Sequence, residues 1–260
     1  MAMKEGYKQT EIGPIPRDWE LLTFKDVLNG FTSGATPSRT RPEYYKGDIR
    51  WITSGELNYG LITDTKEKIT AEAVKKTNLK MQPIGTFLIA ITGLEAEGTR
   101  GSCSIVGAVS TTNQSCMAIY STERILTKYL FHYYILNGNS LAFKYCQGTK
   151  QQSYTGRIVK ILPIIVPPIP EQRAIAEALS DIDALITVLE TLIEKKRAIK
   201  QGVMQKLLTG KTHLLEFSGE WEERPFGEVL FRRNTKYHEV KASEYQTTGN
   251  YPVIDQGKER

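Results

Sequence analysis

Apolar and polar positions change their period along this chain, and the changes outline its parts. From about Asp18 to Pro170 the apolar residues come in short runs rich in Ile, Val, Thr and Tyr. The runs Ile49–Thr53, Thr86–Thr92, Cys103–Val109, Ser115–Tyr120 and Ile158–Val166 are bounded by Gly, Asn or Pro, which predicts strands. Helical spacing predicts a short helix over Thr70–Lys76 and a second over Thr127–Asn137, opened by a capping Thr and closed by Asn-Gly. At Ile165–Arg173, IVPPIPEQR, three prolines fix φ and remove backbone donors, so neither helix nor inner strand passes through them. A hinge is expected there, and Pro170-Glu171 reads as a helix start with acid in its first turn.

Beyond the hinge the period becomes that of a paired helix. Ile175, Leu179, Ile182, Ile186, Leu189 and Ile193 follow in steps of four and three, a heptad seam. The seam lapses at Lys196 and Lys200, resumes at Val203 and Leu207, and Thr209-Gly210 supplies the stop. Such a helix would be ~57 Å long at 1.5 Å per residue, too long to lie wholly on one small domain. Its charges are polarised: Glu171, Glu177, Asp181, Asp183, Glu190 and Glu194 come first, then Lys195, Lys196, Arg197, Lys200 and Lys206. An antiparallel copy would set acid against base at both ends. An amphipathic helix docked on its own domain remains the alternative.

After the helix the sequence restarts. Trp19–Leu28 (WELLTFKDVL) aligns without gaps to Trp221–Leu230 (WEERPFGEVL), an internal repeat. The expected layout is α+β: a mixed α/β domain over 1–166, a proline hinge and long coiled-coil helix over 167–210, and over 211–260 the start of a second domain, cut short.

Composition narrows the function. Residues 1–170 hold 20 Lys/Arg against 14 Asp/Glu, so the basic excess sits in the first domain, where a polyanion would be drawn. No apolar run approaches the ~20 residues needed to cross a membrane, and no secretory h-region opens the chain. Cys103, Cys116 and Cys146 form no C-x-x-C pair, which fits packed thiols in a reducing cytoplasm rather than a zinc site. His132, His213 and His238 are scattered, and His132, inside an aromatic run, reads as a core residue. Walker A, G-x-S-x-G, H-E-x-x-H and aminating methyltransferase signatures are lacking, and Glu95 and Glu97 read as a solvated loop pair. No catalytic or metal residues are expected.

Four polar loops stand out instead. The first holds Ser33, Gly34, Thr36, Ser38 and Arg39, with Arg41, Tyr44 and Lys46 following; the second Thr92, Gly93, Thr99 and Arg100; the third Asn113 and Gln114; the fourth Lys150, Gln151, Gln152 and Thr155. Hydroxyls, glycine-exposed amides and bases suit phosphate, Asn and Gln can read adenine, and Arg or Lys guanine. Each loop alone could be a solvated turn; together, in a basic domain, they point to nucleic acid.

The chain resembles the specificity subunits of type I restriction–modification systems. The resemblance rests on Gly13–Trp19 (GPIPRDW), Ser33–Ser38 (SGATPS), Trp51-Ile52, Gly85–Ile89 (GTFLI), Asn113-Gln114, and the frame from Pro163 through Pro170, Glu171, Gln172 and Arg173 to Leu179 and on to Gln205–Gly210 (QKLLTG). It implies a non-catalytic target-recognition domain reading one half of a split site in double-stranded DNA. It also implies long helices that act as a spacer ruler and dock methyltransferase subunits, joined by restriction subunits where a system has them. S-adenosylmethionine would then sit on the methyltransferase, and ATP and Mg on a restriction partner, with no cofactor on this chain. Family members carry two recognition domains and two such helices; here one domain and one helix are complete. A homodimer through antiparallel helices would restore the pair, and a different chain supplying the other half is the competing arrangement. A stand-alone dimeric DNA-binding regulator remains the alternative reading.

Overall fold

The computed structural model describes residues 5–96, 98–148, 152–230 and 248. Along the chain run β1 (Tyr7–Thr10), β2 (Gly13–Pro16), β3 (Glu20–Thr23), α1 (Phe24–Val27), β4 (Leu28–Ser33), β5 (Ile49–Ile52), β6 (Leu61–Ile62), β7 (Lys68–Ile69) and α2 (Ala71–Lys76). Then follow β8 (Phe87–Ala90), β9 (Cys103–Val106), β10 (Thr111–Thr112), β11 (Cys116–Ser121), α3 (Thr127–Tyr145), α4 (Gly156–Ile161), β12 (Pro163–Val166), α5 (Ile169–Leu207) and α6 (Phe226–Val229). They divide into two compact units, Met1–Glu190 and Thr191–Arg260. The division falls inside α5, not at the prolines.

In the first unit a five-stranded sheet is ordered β4-β11-β8-β9-β6, antiparallel except for the β9/β6 pair. All four residues of β8, Phe-Leu-Ile-Ala, are buried, which is why this central strand reads as a continuous apolar run rather than an alternating one. Phe24 of α1 and Tyr134 of α3 close over the sheet, with the Phe87 and Tyr134 rings edge to face at 5.6 Å. A smaller cluster, Tyr44, Trp51, Ile69, Ala73 and Leu79, lies under the sheet β10-β5-β7. β3 pairs with β12, so the start of the domain is stitched to its end.

Three local expectations are corrected. The run Ile158–Val166 is not one strand. Thr155 caps α4, accepting from the Ile158 N–H at 3.3 Å, and Ile158 and Val159 face the core. Pro163 then forces the preceding residue out of helical geometry, and β12 begins. Second, α3 runs through Asn137-Gly138 to Tyr145 instead of ending there. Gly138 is a packing glycine: a Cβ on it would sit 2.7 Å from the Tyr134 ring and 3.0 Å from the Gly101 carbonyl oxygen. Third, the residue capping α3 is Leu126, not Thr127, whose hydroxyl bonds Ser121 at 2.7 Å.

The prolines do not form a free hinge. Gln172 and Ala176 of α5 are buried against the domain and Ile175 is half-buried, so Ile175 belongs to that contact rather than to an open seam. His132 of α3 lies at the same junction, its Nε2 3.3 Å from Ser180 Oγ and its Nδ1 3.8 Å from the Asp183 carboxylate. From Leu179 onward the apolar positions are exposed: Leu179, Ile182, Ile186, Leu189, Ile193 and Val203 are each between 43% and 55% accessible, and Leu207 is half-buried.

In the second unit Gly210 adopts φ +69° and terminates α5, where the Trp221 ring closes against it. α6 occupies the positions that the internal repeat aligns with α1. Its Phe226 is 78% exposed, whereas the aligned Phe24 is fully buried. The remainder of the expected second domain lies outside the described residues.

Candidate nucleic-acid interface

The polar loops converge, although they are scattered in the sequence. The first loop is laced to the third: the Gly34 N–H donates to the Asn113 carbonyl at 3.1 Å, the Ala35 N–H to Thr112 at 3.2 Å, and the Thr36 hydroxyl to the Gln114 side-chain carbonyl. This approach demands glycine at position 34, where a Cβ would lie 1.7 Å from the Thr112 carbonyl oxygen. The third loop meets the second through the Thr92 and Ser115 hydroxyls, 2.7 Å apart. The second meets the fourth through the Thr92–Ser153 bridge, the Leu94 N–H on the Gln152 carbonyl at 3.1 Å, and the Gln152 N–H on the Glu95 carboxylate at 2.8 Å. Glu95, exposed to solvent, thus also clasps the fourth loop. The four loops are thereby linked by hydrogen bonds from Gly34 to Gln152.

Several predicted contacts are already engaged within the chain. Arg39 makes a bidentate pair with Glu67 at 2.5 and 2.8 Å, its guanidinium 4.1 Å from the centre of the Tyr45 ring. That pairing raises the Arg39 pKa and holds Glu67 below the usual carboxylate range, in each case chiefly through their mutual hydrogen bonds. Arg100 closes its own loop, donating to the carbonyls of Leu94 at 2.8 Å and Glu95 at 3.3 Å. The loop rests on α3, where Gly101 abuts Gly138. Arg41 donates to the hydroxyl of Tyr44, a buried residue. Asn113 is also buried, and its side chain accepts from the Ser115 N–H at 3.0 Å. Thr155 is spent on the α4 cap. Ser38 is exposed, its hydroxyl 2.8 Å from that of Thr40.

Ser33, Thr36, Lys46 and Gln114 remain exposed, and Gly93 and Thr99 are partly so. With its carbonyl taken by Thr36, Gln114 keeps two amide N–H groups to donate. Lys150 and Gln151 lie outside the described residues, as does Glu97. Sequence reading missed Lys80, which lines a cleft with Thr32, Ser33, Gly34 and Ala35. It also missed Ser115, which joins the third loop to the second. Nothing in a spacing pattern signals these residues, because each acts on a segment remote in sequence. Among the described residues no cluster of His, Cys, Asp or Glu has the geometry of a metal site, and no helix is long and apolar enough to cross a membrane.

Residues 16–200 match the family model of the type I restriction modification DNA specificity domain. The chain belongs to the type I restriction–modification specificity family. It is 33% identical over 184 residues, 69% of its length, to the MjaIX type I restriction enzyme specificity subunit of Methanocaldococcus jannaschii, covering 41% of that protein. Against the EcoR124I/EcoR124II specificity subunit of Escherichia coli it is 25% identical over 194 residues, 70% of this chain and 48% of the relative. The fold is shared with a chain of a solved type I R-M system at TM-score 0.56 and 17% identity, covering 78% of this chain and 48% of that one. It is also shared with the HsdS subunit from Thermoanaerobacter tengcongensis, at TM-score 0.52 and 16% identity over 78% of this chain and 47% of that one. The chain spans about half the length of the curated relatives it matches.

Proposed function

We propose that this chain is the DNA-reading, non-catalytic part of a cytoplasmic type I restriction–modification complex, recognising one half of a split duplex target. The observation that carries this reading is the convergence of remote polar loops into one face on the more basic part of the chain. Exposed Gln114 supplies the base-reading chemistry, while Ser33, Thr36 and Lys80 supply donors for phosphate.

The exposed length of α5 fits two kinds of helical partner. The seam Leu179–Ile193 suits an antiparallel second copy, acid facing base, which would bring two reading faces to one palindromic split site. Leu185, Leu192 and Ile199, spaced by seven and about half exposed, form a flank beside that seam. A face this broad exceeds what one partner helix covers and suits docking of methyltransferase subunits. Those subunits would hold S-adenosylmethionine, and restriction subunits, where present, ATP and Mg.

Mapping methylated adenines in cells carrying the chain with a cognate methyltransferase tests the reading. The expected result is a bipartite target with two identical half-sites, abolished when the chain is deleted. A methylation pattern indifferent to the chain overturns it. Binding to the same duplexes with no methyltransferase recovered alongside the chain favours the stand-alone regulator. A strictly monomeric mass at micromolar concentration, with and without methyltransferase, sinks the homodimer.

A further inference from the structure

Gln172 is completely buried in the first turn of a helix that is otherwise largely exposed, and its side-chain carbonyl and both amide hydrogens are used. Its carbonyl accepts from the Leu126 N–H at 2.9 Å. Its amide donates to the carbonyls of Arg124 at 3.0 Å and Pro167 at 2.8 Å. One side chain thus ties together the segment after β11, the start of α3, and the chain between β12 and α5. The neighbouring contacts reinforce it: Trp19 Nε1 donates to the Glu171 carboxylate at 2.8 Å, and Arg124 pairs with Glu20 at 2.6 Å. From the other side the Tyr129 and Tyr133 hydroxyls hold the Ile165 and Pro163 carbonyls at 2.8 and 3.1 Å.

β11 makes this joint more than a domain staple. It begins directly after Gln114-Ser115 in the reading face and ends beside Thr122–Leu126, the segment that Gln172 grips. A strand paired on both sides, with β4 and β8, therefore connects the reading loops to the root of α5. The direction in which α5 leaves the domain is fixed relative to the reading face, and small errors there are amplified along the helix. From Ile169 to Glu190 the helix is about 33 Å long at 1.5 Å per residue, so a tilt of about 10° at its root moves the far end by about 6 Å, against about 3.4 Å per base pair of DNA.

We infer that Gln172, supported by the Trp19–Glu171 bond, is a positioning residue that sets the spacer length between the two half-sites, by fixing the angle between the reading face and α5. The inference rests on the function proposed above. The joint touches neither DNA nor a partner; it acts through the orientation of α5.

The test is selection by the assembled modification complex from duplexes that carry two randomised half-sites separated by spacers of graded length, with the unchanged chain, Gln172→Met and Trp19→Phe compared. The unchanged chain should select one spacer. In Gln172→Met, which removes all three of these hydrogen bonds, the half-site sequences should stay the same, while discrimination against spacers one base pair longer or shorter falls about tenfold. Trp19→Phe should shift the same readout in the same direction by less. It also decides the matter if Gln172→Met does not fold, which a thermal melt reports. Folded variants that keep the parental spacer preference overturn the inference and leave the proposed function standing, and so does loss of half-site preference together with spacer preference. An unchanged chain that selects no bipartite site overturns the proposed function, and this inference with it.

Discussion

Gly34 shows how much of the proposed reading face rests on a single residue. Its α-carbon lies so close to the Thr112 carbonyl that Gly34→Ala must displace either the first loop or the β10 strand. A loss of about 1–3 kcal/mol, the usual scale of an overpacked site, is expected on chemical denaturation, together with weaker DNA binding. An unchanged denaturation midpoint would show that the two segments are not in contact. His132 makes a prediction of a different kind. Burial holds its imidazole below the ordinary 6.5, the nearby Asp183 carboxylate offsets part of that, and Lys128 adds slightly to the lowering. A depressed histidine favours its neutral form in the folded state. Its contribution to stability is therefore present above about pH 6.5 and is lost as the pH falls through the lower folded value. Urea midpoints at pH 7.5 and 5.5 should diverge more in the unchanged protein than in His132→Gln, and equal divergence would remove His132 from the pH response.

Elements were legible where one interaction dominated them. β8, β9 and β11 are largely buried apolar runs, each carrying an Ile together with a Phe, Val or Tyr, so they announce strands. The length of α5 was legible from its proline start and Thr-Gly stop, and its seam from the heptad spacing. The failures share a cause, which is that tertiary contact overrides a local signal. Asn137-Gly138 reads as a stop, yet Gly138 is there to admit Gly101. Ile158–Val166 reads as a strand, yet a Thr cap and a proline divide it into helix and strand. The convergence of the polar loops could not be read at all, since Thr36 and Gln114 lie 78 positions apart. For α5 the periodicity has a measurable consequence. Leu189 is about half exposed and central in the seam, so pairing would bury it, at about 1.5–3 kcal/mol per large apolar side chain. Leu189→Asp should convert the proposed antiparallel dimer to monomer in sedimentation equilibrium, with the far-ultraviolet circular dichroism of the folded domain retained. A dimer that survives places the contact elsewhere.

At the scale of the whole molecule the question is which of the basic charges would reach DNA under the proposed function. The excess of positive charge in residues 1–170 draws a polyanion in, but attraction does not make every cation a contact. Arg39 illustrates the difference. Its sequence position beside SGATPS suggests a phosphate ligand, while the structure has it bidentate to Glu67 and stacked on Tyr45, so its charge is locally cancelled and its N–H groups are partly occupied. Both partners are substantially exposed, 56% and 39% by side chain, so solvent screening limits the pair to about 1 kcal/mol of stability or less. Lys80 is the opposite case, an ammonium lining the cleft beside Ser33, Gly34 and Ala35. Counterion release separates the two. Each phosphate contact contributes about one unit to the slope of log K against log salt concentration, so Lys80→Ala should lower the slope by about one while leaving the melting temperature near its parental value. Arg39→Ala should lower the melting temperature and leave the slope nearly unchanged, since Glu67 already holds the guanidinium. The reverse pattern would mean that Arg39 exchanges Glu67 for phosphate on binding and that the Glu67 pair is only its resting position in the free protein.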